Sequence, residues 1–276
     1  MNRAFTKTIA LIGGTGLVAG LPRIPLADSR VHNDVAVRFG ERSGRILHYV
    51  EGFHNSLRVI LLPRHGPSPD RPDRSPGMLV TQLGHEAHIW LLHELGVSAV
   101  YAFCAVGALD RDVPLASERC FVVPHEYGRG LGATVHSFGA LAKTIHPTMR
   151  EPFCPVLRSQ AIAAVEAAGA RAISNALLIN SGPDQFETIA EVRATRRLYE
   201  GEPHRLVGMT AGPELVLCRQ MEIPYAVICA NANYAEGLEA TPVTHDLVVD
   251  TLKDAAETML DIASHLIGIS AAEARA

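Results

Sequence analysis

The chain has 276 residues, of which 47% are hydrophobic, 20% charged and 5% aromatic. At about 150 residues per domain, this length allows one large α/β domain or two small ones. The 25 Lys and Arg against 29 Asp and Glu give a formal net charge of -4, which argues against a nucleic acid partner. Five cysteines without a CxxC pair argue against a disulfide framework or a zinc ribbon.

Hydropathy gives no indication of export or of a membrane. The apolar run Ile9–Ile12 is too short for the hydrophobic region of an export signal. No stretch reaches the roughly 18 apolar residues of a membrane span, since even Leu91–Ala108 is interrupted by His93 and Glu94. Cysteines without a disulfide framework are expected to be reduced thiols, as in a cytoplasm. The cysteines and the hydropathy together predict a soluble cytoplasmic protein with no membrane partner.

Short apolar runs that end in turn residues predict eight strands. In chain order these are Thr8–Ile12, Val35–Phe39, Val59–Leu62, Ala99–Phe103, Cys120–Val123, Ala176–Asn180, Arg205–Met209 and Tyr225–Ala230. Helical patterns lie between them, at Met78–Leu95, Val156–Ala168, Thr188–Glu200, Pro213–Met221 and Thr244–Ile267. Strands that alternate with helices predict an α/β fold with a mostly parallel sheet covered on both faces.

Two segments rich in proline or glycine, Pro63–Pro76 and Gly128–Gly139, predict long loops over a site. Neither segment is typical of a domain border, and the sequence contains no internal repeat or low-complexity tract. The simplest prediction is one domain over residues 1–276.

The first predicted strand runs into Gly13-Gly14-Thr15-Gly16, where glycines let backbone N–H groups approach an anion and Thr15 adds a hydroxyl. The letters from Gly14 to Ala19 also satisfy the dinucleotide fingerprint. However, Pro22 falls where that fingerprint requires a continuous helix. A phosphate site is therefore favoured over a dinucleotide site.

Potential anion donors also follow two other predicted strands. Arg64-His65-Gly66 comes directly after Val59–Leu62, and Arg offers a planar fork for phosphate oxygens. Cys104 and Ala105 begin the turn after Ala99–Phe103, where backbone amides can complete an anion cradle. Open α/β sheets bind ligands at such strand ends, so we expect these groups to converge.

The segment His85-Glu86-Ala87-His88 superficially resembles a zinc-protease motif. Its histidines are spaced i and i+3, whereas that motif needs i and i+4. We expect these histidines and His93 on the polar side of one helix, and we predict no metal site.

Three later strand ends carry further polar groups. Glu187 lies near the start of the helix after Ala176–Asn180, and Thr210 follows Arg205–Met209. Asn233 and Tyr234 follow Tyr225–Ala230. With the three earlier strand ends, these six positions are more typical of one site than of six unrelated turns.

With these motifs in chain order, the sequence resembles the trimeric nucleoside phosphorylases, which include purine nucleoside phosphorylase and the methylthioadenosine and methylthioinosine phosphorylases. The resemblance covers nearly the whole length. Its landmarks are I-G-G-T-G-L (Ile12–Leu17), R-H-G (Arg64–Gly66), A-V-G-A-L (Ala105–Leu109), E-P-F-C-P (Glu151–Pro155), G-P-D-Q-F-E-T-I-A-E (Gly182–Glu191), G-M-T-A-G-P-E (Gly208–Glu214) and N-Y (Asn233–Tyr234).

The resemblance implies a single three-layer α/β domain with a mixed, partly barrel-like central sheet, assembled as a homotrimer. It implies inorganic phosphate as co-substrate and neither a metal nor an organic cofactor. The phosphate ligands it implies are Thr15, Arg64, His65, Cys104, Ala105 and Thr210. Around the nucleoside it implies Asn233 and Glu187 at the base, with His85, Met209, Tyr234 and His245 at the ribose and base.

The two base residues indicate the substrate. A 6-oxopurine carries a hydrogen on N1 and an acceptor at O6, so Glu187 can accept from the former and Asn233 can donate to the latter. Adenine would place its N1 lone pair against the carboxylate, a buried mismatch worth about 1–3 kcal/mol. By the resemblance, His245 meets a 5′-hydroxyl, so we expect phosphorolysis of inosine and guanosine, with S-methyl-5′-thioinosine or methylthioadenosine as the alternative.

Two departures from the family pattern keep other hypotheses open. The segment Gly182–Thr188 has one residue more than the family's G-P-R-F/L-E-T and lacks its Arg, and Cys104 stands where hydroxyl or amide side chains are common. A non-catalytic nucleoside-binding homologue is therefore one alternative. A Rossmann-type oxidoreductase is a more distant one.

Overall fold

A computed structural model describes residues 7–14, 17, 20–66 and 84–274. The strands are β1 Thr8–Gly13, β2 Ala27–Phe39, β3 Arg42–His54, β4 Leu57–Pro63, β5 Ala99–Ala108, β6 Cys120–Val122, β7 Glu126–Arg129, β8 Arg171–Ile173, β9 Leu177–Asn180, β10 Arg205–Gly208 and β11 Tyr225–Tyr234. The helices are α1 His85–Glu94, α2 Pro155–Ala167, α3 Ile189–Leu198, α4 Ala211–Gln220 and α5 His245–Glu273. Each of the eight predicted strands and five predicted helices is present.

The strands form one mixed sheet with the order β2-β3-β4-β1-β5-β10-β9-β7, and β11 joins β5 to β6 and β8. β1 pairs in parallel with β4 and β5, whereas β2, β3 and β4 form an antiparallel meander. The predicted fold class, α/β with a mixed sheet between helices, is confirmed. The sheet contains more antiparallel pairing than the strand pattern predicted.

The two faces of the sheet carry separate cores. Successive side chains of a strand point to opposite faces, so Ala10 and Ile12 of β1 join one cluster while Ile9 and Leu11 join the other. Helices α1 and α4 cover the first face, and α2 and α5 cover the second. The result is three layers with the sheet in the middle.

Strand β5 is the centre of the sheet, and its partners diverge along its length. β1 pairs with residues 99–102 of β5, whereas β10 pairs only with Gly107 and Ala108. On this edge of β5, residues 103–106 therefore lie between the end of the pairing with β1 and the start of the pairing with β10. Open sheets bind ligands at such divergence points, outside the carboxyl ends of the strands.

Helix starts follow the capping chemistry of the sequence. The Thr188 hydroxyl accepts from the N–H of Glu191, whose carboxylate accepts in return from the N–H of Thr188, and this capping box begins α3. The Thr244 hydroxyl accepts from the N–H of Leu247 at the start of α5. Glu187 directly precedes the first of these capping residues and His245 directly follows the second, so the caps position two residues of the cavity described below.

Several expectations differ from the structure. Strand β3 was not predicted, because glycines and charged residues interrupt its alternation, and β8 was not predicted, because it has only three residues. Strands β5 and β11 continue past their predicted ends, so Cys104, Ala105 and Asn233 lie within strands and not in the turns after them. The Gly128–Gly139 segment begins inside β7 instead of being loop throughout. His85 and His88 are each 1% exposed and not on a polar face, because α1 is covered by the sheet and by α4. Residues 67–83, which include most of Pro63–Pro76 and the first turns of Met78–Leu95, lie outside the described chain.

Across the described ranges, every helix is too short or too polar to cross a membrane.

Candidate active site

A cavity of about 390 Å³ opens at the divergence point beside β5. It is lined by residues from eight segments of the chain: Arg64, His65, Ala105, Val106, Gly107, Ser181, Asp184, Gln185, Phe186, Glu187, Val207, Gly208, Met209, Thr210, Asn233, His245 and Val248. Eight of the predicted site residues are in this set. The predicted convergence of strand ends on one site therefore holds for most of them.

Arg64 follows β4 and is 1% exposed, yet it lines the cavity. Its Nε and Nη2 donate to the two carboxylate oxygens of Glu214 at 2.5 and 2.9 Å, and its Nη1 donates to the Phe103 carbonyl at 2.9 Å. Burial alone would lower the pKa of Arg64, but the charge and hydrogen bonds of Glu214 raise it above its ordinary value. Arg64 is thus a fixed cation at the cavity wall.

The turn after β1 depends on Gly14. A Cβ at this position would lie 2.5 Å from Nη1 of Arg64 and 2.8 Å from the Phe103 carbonyl oxygen. Only glycine lets the backbone come this close to the guanidinium. Gly14 therefore lies against Arg64 but does not itself line the cavity, and Thr15 and Gly16 lie outside the described residues, so the predicted anion contact of this turn stays a prediction.

Further donors lie near Arg64 on the cavity wall. His65 is 6% exposed and Thr210 is 8% exposed. Thr210 precedes α4 in the cap position, but its hydroxyl makes no capping hydrogen bond, so it is available to a ligand. The helix N-terminus beside it favours negative charge. Ala105 of β5 also lines the cavity.

Asn233 reaches the cavity because β11 contains a bulge. Asn231 pairs with Val106 and Asn233 with Gly107, so Ala232 is an extra residue that changes which side chains face the site. The Nδ2 of Asn233 donates one hydrogen to the Tyr234 carbonyl at 3.1 Å and retains a second for a ligand. A Cβ on Gly107 would lie 3.0 Å from that nitrogen, so glycine is needed where the amide rests on β5.

The remaining predicted residues line the same cavity. Glu187 is half-buried and precedes the capping residue of α3, while Met209 follows β10. His245 and Val248 lie one turn apart on α5, and both line the cavity. His245 is exposed and Val248 is 8% exposed, so the same helix offers a polar and an apolar surface.

Three of the described predicted site residues, Cys104, Tyr234 and His85, do not line the cavity. The side chain of Cys104 points to the opposite face of β5 from Ala105, and its Sγ lies 3.6 Å from the Sγ of Cys229. Tyr234 follows Asn233 within β11, packs against the core and is absent from the cavity wall. Strand alternation turns the side chain of Tyr234 away from the cavity, and it turns the Cys104 thiol away as well, so of the Cys104–Ala105 segment only Ala105 reaches the cavity wall.

His85, predicted near the ribose, instead lies beneath the Arg64 pair. Its Nδ1 is 3.9 Å from a Glu214 oxygen, and its ring centroid is 5.1 Å from that of His136. Within the described chain neither ring nitrogen has a hydrogen-bond partner. Burial, together with the charge of His136, lowers the pKa of His85 to about 3, so this histidine is neutral and forms no ion pair with Glu214.

The buried histidines predict acid sensitivity. Burial also lowers the pKa of His88 to about 3, whereas an unfolded histidine titrates near 6.5. Below about pH 6.5 the unfolded chain therefore takes up protons that the folded chain refuses, and the free energy of unfolding falls. We expect a loss on the order of 2 kcal/mol per histidine between pH 7 and pH 5.

Urea unfolding at the two pH values measures this loss. His88→Leu should remove about half of it, whereas a substitution of the exposed His146 by glutamine should leave it unchanged. An equal loss in His88→Leu and the unaltered protein would contradict the assignment.

The sequence pattern did not identify one polar residue on the cavity wall, Ser181, or one residue behind that wall, Glu214. Ser181 lines the cavity with a buried hydroxyl that has no partner among the described residues. Glu214 was noted only as the end of a motif, because nothing in the spacing ties it to Arg64, 150 residues earlier. No group of three or more potential metal ligands occurs within the described ranges.

An α/β fold whose strand ends gather anion donors and an amide–carboxylate pair in one cavity defines a small-molecule enzyme site. The family model described as the phosphorylase superfamily matches residues 8–268. The chain belongs to this superfamily, and the predicted membership among the nucleoside phosphorylases is confirmed.

Individual relatives differ in name. The chain is 34% identical over 208 residues to a probable S-methyl-5′-thioinosine phosphorylase of Methanothermobacter thermautotrophicus, covering 74% of this chain and 66% of that protein. Three further relatives bear the same name. This chain is also 29% identical to a 6-oxopurine nucleoside phosphorylase of Pyrococcus furiosus, and the match covers 92% of this chain and 89% of that protein.

Among solved structures, a methylthioadenosine phosphorylase from an antarctic soil metagenomic library superposes with a TM-score of 0.79. The two chains are 23% identical, and the match covers 98% of this chain and 88% of the other. At this identity the likeness supports the fold alone.

Proposed function

We propose that the protein cleaves a 6-oxopurine nucleoside by phosphorolysis, with S-methyl-5′-thioinosine as its preferred substrate. The observation that carries the proposal is the placement of two unlike groups along β5. Arg64 donates a hydrogen bond to the Phe103 carbonyl, and the Asn233 amide packs closely against Gly107. These two positions are four residues apart, which is roughly 13 Å along a strand. A cation and an amide thus reach one cavity from two points along β5, which supports a phosphate and a purine on opposite sides of the sugar C1′.

The chemistry follows from these residue types. Phosphorolysis breaks the N-glycosidic bond, leaves negative charge on the departing purine and joins phosphate oxygen to C1′. The free hydrogen of the Asn233 amide can bond to N7 or O6 of the base, which stabilises charge that develops only as the bond breaks. Arg64, His65 and Thr210 hold the attacking phosphate, a requirement that hydrolysis of the same bond lacks.

Glu187 and Asn233 support a 6-oxopurine base. Their presence on one cavity allows the carboxylate to accept from N1–H while the amide donates to the base acceptors. An adenine N1 would face the Glu187 oxygens without a proton between them. S-methyl-5′-thioinosine and inosine carry the same base, so the contacts of Glu187 and Asn233 do not distinguish between these two substrates.

From the sequence we expect a substrate with a 5′-hydroxyl, inosine or guanosine. The names of the relatives favour a 5′-methylthio group instead. Four relatives are named for S-methyl-5′-thioinosine, and Val248 offers an apolar surface for a thioether. His245, one turn earlier, favours the competing candidate, because a histidine can bond to a 5′-hydroxyl.

Initial rates with five nucleosides and excess phosphate test the proposal. We expect S-methyl-5′-thioinosine to have the highest kcat/KM, inosine and guanosine to follow, and adenosine and methylthioadenosine to be poorest. A preference for the two adenine nucleosides would contradict the base assignment. A preference for inosine would establish the 5′-hydroxyl candidate.

Assembly as a homotrimer, which the resemblance implies, belongs to the same proposal. Leu131, Val135 and Ile145 are 52%, 77% and 51% exposed on one stretch of chain, an arrangement that supports burial against another subunit. Light scattering should give three times the chain mass of 29.7 kDa, and a monomer mass would contradict the trimer.

A further inference from the structure

We propose that Glu214 is a positioning residue for the phosphate co-substrate, acting through Arg64. Glu214 binds the Nε and Nη2 edge of the guanidinium. In the proposal, the Nη1 and Nη2 edge then presents two N–H donors, a fork, to the phosphate. This inference rests on the proposed function, because it assigns the anion in the cavity to inorganic phosphate.

The donors of Arg64 can be counted. A guanidinium has five N–H groups in a fixed plane. Glu214 accepts from Nε and Nη2, and the Phe103 carbonyl accepts from Nη1. One N–H on Nη1 and one on Nη2 remain, and we infer that they form a single fork, with the Phe103 carbonyl on the outer hydrogen of Nη1. Because Arg64 lines the cavity, this fork is available to an anion there in the bidentate geometry that phosphate prefers.

The carboxylate that fixes this orientation is itself fixed. Glu214 is 0% exposed and lies in the first turns of α4, four residues after Thr210. The Tyr225 hydroxyl donates to Glu214 Oε2 at 2.9 Å. Burial raises the pKa of Tyr225 well above its usual range, so this donor keeps its proton. One helix thus carries both a phosphate-site hydroxyl and the group that aims Arg64.

Charge and geometry predict opposite effects for Glu214. The carboxylate cancels the charge of Arg64, so its removal would strengthen phosphate binding if net charge alone mattered. If Glu214 orients the fork, its removal weakens phosphate binding despite the added positive charge. The substitution Glu214→Gln therefore distinguishes the two roles by the sign of the change.

Calorimetric titration of the full chain with inorganic phosphate measures that sign. We expect Glu214→Gln to raise the Kd for phosphate at least about 10-fold and to raise the KM for phosphate in parallel, while the KM for the nucleoside changes less than about twofold. Tyr225→Phe, which loosens the carboxylate without removing it, should raise the Kd for phosphate by a smaller factor.

The matched control is Asp110→Asn. Asp110 holds Arg205 through a comparable two-point contact, with Nε and Nη2 at 2.9 and 2.5 Å, and it does not line the cavity. This variant can lose stability but should keep the Kd for phosphate of the unaltered protein.

An unchanged or lower Kd in Glu214→Gln would overturn the proposal. If that variant does not fold, an unchanged Kd in Tyr225→Phe would do so. Absence of phosphate binding by the unaltered protein would also overturn it. Phosphate binding without turnover of any nucleoside would refute only the proposed function.

Discussion

Replacement of Asn233 by alanine is expected to lower kcat for phosphorolysis by about 100- to 1000-fold, the usual effect of losing one preorganised donor. The amide bonds to charge that appears on the purine only as the glycosidic bond breaks, so its loss should affect kcat more than KM. Steady-state rates at saturating phosphate measure the effect.

Asn231 supplies the control for that variant. Its Nδ2 donates to the Val113 carbonyl at 3.0 Å and it does not line the cavity. Asn231→Ala should lower stability and leave kcat within a few-fold of the unaltered protein. Equal losses of kcat in the two variants would show that Asn233 acts through the fold alone.

Two other substitutions examine the same amide. Asn233→Asp replaces the donor by an acceptor, so selectivity should shift toward 6-aminopurines, whose amino group donates. Gly107→Ala keeps the amide but adds a Cβ that would lie 3.0 Å from its nitrogen, which should lower kcat by displacement. No change in either variant would contradict the geometry described for Asn233.

The second large effect is expected for Arg64→Lys, which should lower kcat/KM for phosphate on the order of 100-fold. Lysine retains the charge that Glu214 needs, so the buried carboxylate is not left alone. A single ammonium cannot hold Glu214 at two points and offer a fork to phosphate as well. The nucleoside KM should change little, because the proposed function assigns Arg64 to the phosphate and not to the nucleoside.

Arg205→Lys is the matched control, since Arg205 makes a similar two-point contact with Asp110 outside the cavity. It should leave kcat/KM for phosphate nearly unchanged. A similar loss in both variants, or none in Arg64→Lys, would contradict the role of Arg64.

The sequence predicted where most strands end, because apolar runs and the turn residues after them are local signals, whereas β5 and β11 continue five and four residues past their predicted ends. The positions of Arg64, Ala105, Thr210 and Glu187 on one cavity followed from the rule that such ends converge. Strand β3 escaped prediction because its pattern is half polar, although both of its partners, β2 and β4, are its neighbours in the chain.

The errors at single residues have a common cause, which is the direction of a side chain. The bulge at Ala232 decides that Asn233 and not Tyr234 faces the cavity, and local sequence does not specify a bulge. Cys104 and Ala105 differ only in which face of β5 they occupy. The burial of His85 and its contact with Glu214 depend on how α1 and α4 pack, which no local pattern records.

Phosphate dependence of purine release from S-methyl-5′-thioinosine tests the central claim most directly. Phosphorus NMR of the reaction should show a sugar 1-phosphate formed in step with hypoxanthine, and no base should be released when phosphate is withheld. Release of hypoxanthine at the same rate without phosphate, with free 5-methylthioribose as the product, would contradict phosphorolysis.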